Sequence, residues 1–278
     1  MNTLVNILLA TYNSARFIKP QLDSLFAQTY QDFVIYVRDD GSSDTTIAIL
    51  EQYMDRYSEK IILLERGRKN IGPAQSFLLL LEKTRGSYYM FCDHDDVWLP
   101  HKIKDSLFLM LEVEKKYGKH IPILVHSDMI VVDESLKQIA PSFWRYIKVN
   151  PKYNSFHCLS SCNNVNGCTI LINNVAKNVS LINSEHAIMH DVWIALSVAY
   201  NNGVIKYVNQ PLMLYRQHSQ NVLGANQIDS IKNKIIHLKD TLQKNKRYFQ
   251  MLNYVGRINF ITYMFCKIKM AIIRRCII

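Results

Sequence analysis

The feature that most constrains the fold is an alternation of short apolar runs with helical segments in the first part of the chain. Runs of strand length occupy residues 4–10, 33–37, 61–64 and 88–92, and apolar residues at helical spacing lie between them. This pattern favours parallel strands joined by helices that cover both faces of the sheet. The sequence therefore predicts an α/β domain with a mostly parallel sheet.

Polar clusters follow three of these strands at the point where each strand ends. In open α/β sheets, ligands bind beyond the carboxyl ends of the strands, so we expect the clusters to converge on one crevice. They are Thr11-Tyr12-Asn13, Asp39-Asp40-Gly41 and the stretch from Asp93 to Asp96.

The acidic stretch MFCDHDDVWLP gathers three carboxylates behind an apolar run. In an extended chain Asp93 and Asp95 would share one face, and Asp96 would point away. Charges this close need solvent, a raised pKa or a cation, and Mg²⁺ or Mn²⁺ would use such oxygens together with substrate phosphates. The alternative is that Asp93 and Asp95 are solvated and Asp96 caps the next helix, and we favour the cap for Asp96.

Three further residues each allow two interpretations. Asp40 could accept hydrogen bonds from a base or a ribose, but an Asp-Gly turn would explain it equally well. Asp191 opens an apolar helix, so it is predicted as the N-cap, a position that would also hold a carboxylate at the mouth of a cleft. His218, taken by itself, is interpreted as a surface histidine.

The pattern after residue 100 is mixed. A helix is predicted at 102–117, and another begins at His190. Apolar or strand-like stretches are predicted at 121–132, 168–172, 204–208 and 212–215.

The positive charge is concentrated at the C-terminal end of the chain. Of a formal net charge of +10, residues 229–278 carry +9, from seven Lys and four Arg against two Asp. A nucleic-acid-binding protein would have its basic patch within the folded domain, so we expect no nucleic-acid partner. The apolar run 258–273 is interrupted by Lys267 and Lys269, which makes it too short and too charged to span a bilayer.

Two interpretations of this basic tail remain. We expect an amphipathic helix lying on an anionic membrane surface. The alternative is a helical hairpin packed on the domain, or a contact in a homodimer.

The N-terminus and the cysteines indicate an intracellular environment. The stretch MNTLVNILLATYNSARF has no basic leader, so a signal peptide is not expected. The six cysteines show no zinc-binding spacing, and we expect reduced, ordinary buried thiols.

Several motifs in order resemble one family. The stretches ILLATYNSARFI, VRDDGSSD, NIGPAQSF and MFCDHDDVW are similar to the nucleotide-binding half of the inverting family 2 glycosyltransferases, which have the Rossmann-like GT-A fold. The stretches VNGCTILIN and MHDVWIALSVAYNNGVIKYVNQPLMLYRQHSQNVLGA resemble the acceptor half, most closely the bacterial rhamnosyltransferase-like branch. The resemblance covers residues 5–225.

The resemblance implies a domain organisation and a set of site residues. Residues 1–225 would form the GT-A domain, with a nucleotide-sugar half at 1–117 and an acceptor half at 118–225, followed by the helical tail at 226–278. Asp191 would be the catalytic base, and His190 receives no role. The residues implied for nucleotide-sugar binding are Thr11, Tyr12, Asn13, Asp40, Arg68, Asn70, Gly72 and Asp93. Those implied for Mn²⁺ or Mg²⁺ are Asp93, Asp95 (the main ligand) and His218.

The function that the resemblance implies is metal-dependent, inverting sugar transfer at the cytoplasmic face of the membrane. The donor would be a nucleotide sugar such as dTDP-rhamnose or a UDP-hexose, and the acceptor a lipid-linked saccharide of a surface polysaccharide. A catalytically inactive nucleotide-sugar or membrane-binding module is an alternative. A sugar nucleotidyltransferase is another, although TYNSARF is not the glycine-rich basic loop that grips a triphosphate.

Overall fold

A computed structural model describes residues 3–67, 69–218 and 238–275, with side chains from residue 243 onward in the last segment. Arg68, predicted to bind the nucleotide, lies outside the described residues, as does the predicted boundary between residues 225 and 226.

The described strands form one mostly parallel sheet in the order β3-β2-β1-β4-β8-β6-β9-β5, with β7 paired to β6. Strands β1 to β4 run parallel, β8 is antiparallel to β4 and β6, and β9 is parallel to β6. The bounds are β1 Val5–Thr11, β2 Phe33–Asp39, β3 Ile61–Arg66, β4 Tyr88–Cys92, β5 Val97–Trp98, β6 Ile123–Val132, β7 Gln138–Ala140, β8 Leu171–Asn173 and β9 Val204–Arg216.

The helices of the first half connect the parallel strands, as predicted. The bounds are α1 Ile18–Phe26, α2 Thr46–Arg56, α3 Pro73–Lys83, α4 Lys102–Tyr117, α5 Phe143–Tyr146, α6 Phe156–Ser161, α7 Asn174–Ser180, α8 His190–Tyr200, α9 Leu238–Val255 and α10 Phe260–Arg275.

Both faces of the sheet are buried, because alternate side chains of a strand enter different cores. In β1, Ile7 and Leu9 belong to an apolar cluster with α1, α2 and α4, whereas Leu8 belongs to a second cluster with α3 and α8. The same alternation divides Met90 from Phe91 in β4. A strand buried on both sides needs the continuous apolar sequence that the chain provides.

Two predicted elements differ from those observed. The strand predicted at 168–172 is wrong in its first half, because Gly167–Thr169 forms a single 3₁₀ turn before β8. The segments predicted at 204–208 and 212–215 are one strand, β9, whose pairing with β6 shifts register around Asp128. The irregularity absorbs the polar residues that separated the two segments in the sequence.

The tail packs on the domain. Met251, Leu252, Ile258 and Tyr263 are buried in the same apolar cluster as Trp193 of α8. The described part of the tail thus packs as in the alternative interpretation, a helical hairpin on the domain, and the expected contact with a membrane surface stays a prediction. Among the described residues, no helix combines the length and the apolar character that a bilayer crossing requires.

Leu252→Ala should destabilise the whole domain, because it would leave a cavity where a fully buried side chain now packs. We expect a loss of about 2 to 4 kcal/mol in the free energy of unfolding, measured by chemical denaturation. Ile261→Ala is the control, since Ile261 is 82% exposed and should change stability by less than about 0.5 kcal/mol. Equal stability of the two variants would contradict the packing of α9 on the domain.

Candidate active site

A cavity of about 780 Å³ lies beyond the carboxyl ends of β1, β2 and β4. This volume is within the range of sites that bind small molecules. The structure brings eight of the predicted site residues to its wall: Thr11, Tyr12, Asn13, Asp40, Asn70, Asp93, Asp95 and Asp191. Two more, Gly72 and His218, bond to members of this set.

Asp39 organises the loops at one end of the cavity. Its buried carboxylate accepts hydrogen bonds from Thr11 Oγ1 at 3.0 Å and from the backbone N–H groups of Gly41 and Ser42 at 3.1 and 2.8 Å. The end of β1 is thereby tied to the loop after β2. Sequence reasoning missed this role, because the sequence Asp39-Asp40-Gly41 does not indicate which of the two aspartates contacts Thr11.

Asp40 holds a second loop, which includes Ile71 and Gly72, against the end of β2. Its Oδ1 accepts hydrogen bonds from Arg38 Nη1 at 2.5 Å and from Ile71 N at 2.9 Å, and Oδ2 accepts one from Gly72 N at 2.8 Å. Gly72 has a φ of +82°, a conformation that favours glycine. Asp40 therefore fixes the loop that carries Asn70, and its predicted contact with a nucleotide stays a prediction.

The prediction that Asp96 caps α4 is wrong. The helix begins at Lys102 after His101, and no side chain caps it. Asp96 is fully buried instead, and its Oδ1 accepts a hydrogen bond from the backbone of Arg216 at 3.0 Å. The reason is the short strand β5, which directly follows Asp96 and pairs with the end of β9.

Asp93, Asp96 and Cys168 form a cluster at one end of the cavity, here called the acidic floor; Asp93 and Cys168 line the cavity, whereas Asp96 is fully buried. Each of the three side chains offers one potential ligand atom, and these three atoms lie within 4.8 Å of one another. Burial and the neighbouring Asp95 and Asp191 raise the pKa of Asp93 to about 7. Burial, with Asp95 and Asp93, also raises the pKa of Asp96 well above its usual value. Both shifts indicate that the site disfavours additional negative charge.

Asp95 pairs with His218, so the interpretation of His218 as a surface residue is wrong. His218 Nε2 lies 2.9 Å from Asp95 Oδ2, its side chain is 3% exposed, and its ring stacks on Phe17 with 4.6 Å between centroids. Burial would raise the pKa of Asp95, but the hydrogen bond with His218 and the nearby imidazoles outweigh it and lower that pKa. The metal-binding role of the pair stays a prediction.

Lys102 supplies buried positive charge beneath the acidic floor. Its ammonium donates hydrogen bonds to the Cys168 carbonyl at 2.5 Å and to Met213 Sδ at 3.0 Å, and it lies 4.2 Å from the ring centroid of Trp98. Burial lowers the pKa of Lys102 to about 8, a shift that the neighbouring thiols and the carboxylates of Asp96 and Asp93 oppose. The helical pattern gave no sign that this lysine is buried.

Asp191 lies within the first turn of α8, so its prediction as the N-cap is wrong. The helix begins at His190 after the extended residue Met189, and the Asp191 carboxylate accepts a hydrogen bond from Val192 N at 2.7 Å. Burial raises the pKa of Asp191 to about 6, against the opposing effect of nearby backbone N–H groups, including that of Gly167. A carboxylate with this pKa is ionised at neutral pH and can accept a proton.

His190 forms part of the cavity wall beside Asp191. Its ring packs on Phe77 and Phe91, with 4.3 and 5.5 Å between centroids, and neither ring nitrogen has a hydrogen-bond partner among the described residues. Burial lowers its pKa to about 3, so the ring is neutral at neutral pH. A Cβ atom at Gly167 would lie 2.3 Å from His190 Nε2, and this close contact explains the glycine there.

A known family accounts for this combination of sheet, loops and acidic floor. The family description "Glycosyl transferase family 2" matches residues 6–166, which is more than half of the chain. The chain belongs to glycosyl transferase family 2. The match includes Asp40 and Asp93 to Asp96 but ends before Asp191 and His218.

The chain spans 56% of the length of the first curated relatives that it matches. It is 28% identical over 253 residues to the dTDP-rhamnosyl transferase RfbG of Shigella flexneri, a match that covers 86% of this chain and 80% of RfbG. It is 26% identical over 258 residues to the UDP-Glc:alpha-D-GlcNAc-diphosphoundecaprenol beta-1,3-glucosyltransferase WfgD of Escherichia coli, covering 91% and 92% of the two chains.

Solved structures share the architecture. S. aureus TarS 1-349 in complex with UDP superposes with a TM-score of 0.57 at 20% identity, covering 77% of this chain and 60% of TarS. The mannosyltransferase PcManGT of Pyrobaculum calidifontis, in complex with GDP-Man and Mn²⁺, also gives 0.57 at 12% identity, covering 98% and 71%. The predicted GT-A fold is confirmed.

The acidic floor of this family 2 glycosyltransferase suits a divalent cation. Mg²⁺ and Mn²⁺ prefer oxygen ligands, which Asp93 and Asp95 present at the cavity wall, whereas the sulfur of Cys168 suits softer metals. Asp96 Oδ2 is buried and has no hydrogen-bond partner among the described residues. A cation would balance the negative charge of these carboxylate oxygens, so the residues present fit a divalent metal ion.

Asp93→Asn should stabilise the metal-free protein at alkaline pH. Ionising a carboxyl group whose pKa is raised from 3.8 to about 7 reduces stability progressively between those values, and the amide avoids this cost. In EDTA the two proteins should be equally stable near pH 4, and the variant should be more stable at pH 8. We expect about 1 to 2 kcal/mol from calorimetry, because the carboxyl groups share their protons.

The matched control for this comparison is Asp55→Asn, which removes an exposed carboxylate from α2. Its effect on stability should not grow with pH. A lower stability of Asp93→Asn than of the wild type at pH 8 would contradict the electrostatic account of the floor.

Proposed function

We propose that the protein is a metal-dependent, inverting glycosyltransferase that moves a sugar from a nucleotide-sugar donor to a hydroxyl group of a lipid-linked saccharide. The observation that carries this proposal is that Asp191, with its raised pKa, lines the same cavity as the acidic floor and the ordered loops of β1 and β2. A base, a cation site and a nucleotide pocket are the parts that such a transfer needs.

The loops at the ends of β1 and β2 bind the nucleotide in this proposal. Their backbone is ordered by Asp39 and Asp40, so a ligand would meet a formed pocket. Tyr12 is 45% exposed and lies at the cavity wall, where its ring can pack on a base. RfbG and WfgD are named for dTDP-rhamnosyl and UDP-Glc transfer, and these names support a nucleotide-sugar donor.

Asp93 and Asp95 would hold the divalent cation, with His218 completing the set through its contact with Asp95. When bound, Mg²⁺ or Mn²⁺ would orient the donor diphosphate and stabilise the negative charge that develops on it. The Mn²⁺ in the PcManGT complex supports this assignment.

Asp191 would act as the general base. Its carboxylate takes the proton from the acceptor hydroxyl as that oxygen forms a bond to the anomeric carbon and the bond to the nucleoside diphosphate breaks. The single displacement inverts the anomeric centre, and no enzyme nucleophile is needed. The first turn of α8 helps by directing backbone N–H groups at the carboxylate, which keeps it ionised at neutral pH.

Two observations support the lipid-linked acceptor: WfgD is named for transfer to GlcNAc-diphosphoundecaprenol, and the tail of this chain is basic. A protein acting on such a lipid works at the inner surface of the cytoplasmic membrane, where we place this one as a peripheral enzyme. The nucleotide and the sugar class of the donor can be found by thermal-shift screening of nucleotide sugars with and without Mn²⁺.

Asp191→Asn should reduce sugar transfer by about 10²- to 10⁴-fold while donor binding is retained, because only the base is removed. In the wild type the transfer rate should rise with pH through an apparent pKa of about 6, since the base must be ionised. Radiolabelled transfer measured from pH 5 to 8 checks both points. Full activity of the variant would exclude Asp191 as the base, and donor binding without turnover by the wild type would favour an inactive module.

Asp95→Ala should instead weaken donor binding, because it removes an oxygen ligand of the cation. The Mn²⁺-dependent rise in melting temperature with UDP should be lost, whereas Asp191→Asn should keep it. An unchanged response to Mn²⁺ in Asp95→Ala would exclude Asp95 as a ligand.

A further inference from the structure

We infer that Arg274 of α10 binds the diphosphate group of the acceptor lipid at the mouth of the catalytic cavity. The inference rests on the proposed function, because it requires a lipid-linked acceptor. It starts from the observation that Arg274 lines the cavity together with Asp191 although it comes from the C-terminal tail.

The guanidinium of Arg274 is fixed by neutral groups. Nη2 donates a hydrogen bond to the Ile147 carbonyl at 2.6 Å, and Nε donates one to the Lys148 carbonyl at 3.2 Å. None of the ion pairs formed by the described residues includes Arg274. Its orientation is therefore set while its positive charge stays unneutralised, which is the state that suits a phosphate ligand.

The outer face of α10 shows where the lipid chain would lie. Its exposed stripe consists of Ile261, Phe265, Ile268 and Ile272, which recur at helical spacing and are 82%, 67%, 58% and 58% exposed. Four large apolar side chains in one exposed row are costly in water, and the adjacent exposed cations Lys269 and Arg275 favour an anionic surface. The occupant of this stripe is an anionic lipid bilayer.

Arg274 follows the end of this stripe on the opposite, domain-facing side of the helix. Tyr263 and Met270 lie on that side, at 3% and 4% exposure, and Arg274 continues their spacing towards the cavity. One helix therefore contacts the membrane with one face and the catalytic cavity with the other. A diphosphate at the level of the lipid head groups would meet Arg274, and the saccharide attached to it would extend towards Asp191.

The donor also carries a diphosphate, but the contacts of Arg274 favour the acceptor. The guanidinium is held by Ile147 and Lys148, which follow α5, whereas Asp40 and Asn70 form the proposed nucleotide end of the cavity. We therefore expect Arg274 to leave donor affinity unchanged.

The test uses the full-length protein with undecyl diphosphate as the probe, carried in phosphatidylcholine vesicles, and with UDP and Mn²⁺ occupying the donor site. Arg274→Gln should weaken probe binding about tenfold or more, as expected for loss of a charged phosphate contact. Arg275→Gln is the matched control, because it removes the same charge from the adjacent, exposed position. It should change probe affinity less than about twofold. Arg274→Lys should retain part of the affinity.

Three outcomes would overturn the inference. An equal loss in both glutamine variants would mean general charge attraction, a loss of UDP affinity in Arg274→Gln would assign Arg274 to the donor, and unchanged probe binding would exclude the contact. Vesicles with phosphatidylglycerol but no probe should bind both variants equally. The two proposals fail separately: a wild type that binds the probe but transfers no sugar from nucleotide sugars to lipid-linked saccharides refutes the transferase, whereas wild-type transfer together with unchanged probe binding by Arg274→Gln refutes the role of Arg274.

Discussion

The structure of the site depends on keeping three adjacent carboxyl groups together at the end of β4. Lys102 places a buried ammonium beneath them, and Arg216 donates its backbone N–H to Asp96 and its Nε–H to the Asp95 carbonyl at 2.7 Å. The Arg216 contacts join β9 to the segment that follows β4, and Lys102 joins α4 to β9 through Met213 Sδ. Because Lys102 also bonds to the Cys168 carbonyl, the same charge fixes the turn before β8. The turn before β8 and the end of β9, both in the second half of the chain, are thus positioned by contacts with Lys102, Asp95 and Asp96 in the first half.

The two ends of the cavity differ in how fully their carboxylates are satisfied. Asp39 and Asp40 accept enough hydrogen bonds from the protein to hold their loops in place. Burial and the neighbouring carboxylates raise the pKa values of Asp93 and Asp96, and the positive charge of Lys102 offsets this only in part. The loops at the first end are therefore held in place without a ligand. At the second end, a cation would balance the charge of the carboxylates. Stability is reduced where chemistry is proposed, as expected for a functional site.

Much of the fold could be predicted because the information was local. Apolar runs with two-sided burial identified β1 to β4, and the polar clusters at their ends indicated the cavity. The misassigned residues depend on distant partners. Asp96 turns inward because β5 pairs with β9, and His218 is buried because it meets Asp95 and Phe17. No local pattern encodes such contacts, so helix-cap and surface interpretations were the natural choices for these residues.

The structure of the tail is compatible with both interpretations that the sequence left open. Leu252 and Tyr263 bury part of it in the core, which makes it a structural element of the domain. The outward residues of α10, such as Ile261 and Phe265, remain exposed, although a helix serving only as a packed cover would present polar side chains there. Packing on the domain and the proposed membrane contact would therefore use different faces and would not compete. A rigidly packed helix would hold the cavity at a fixed distance from the bilayer, which a freely moving anchor could not do.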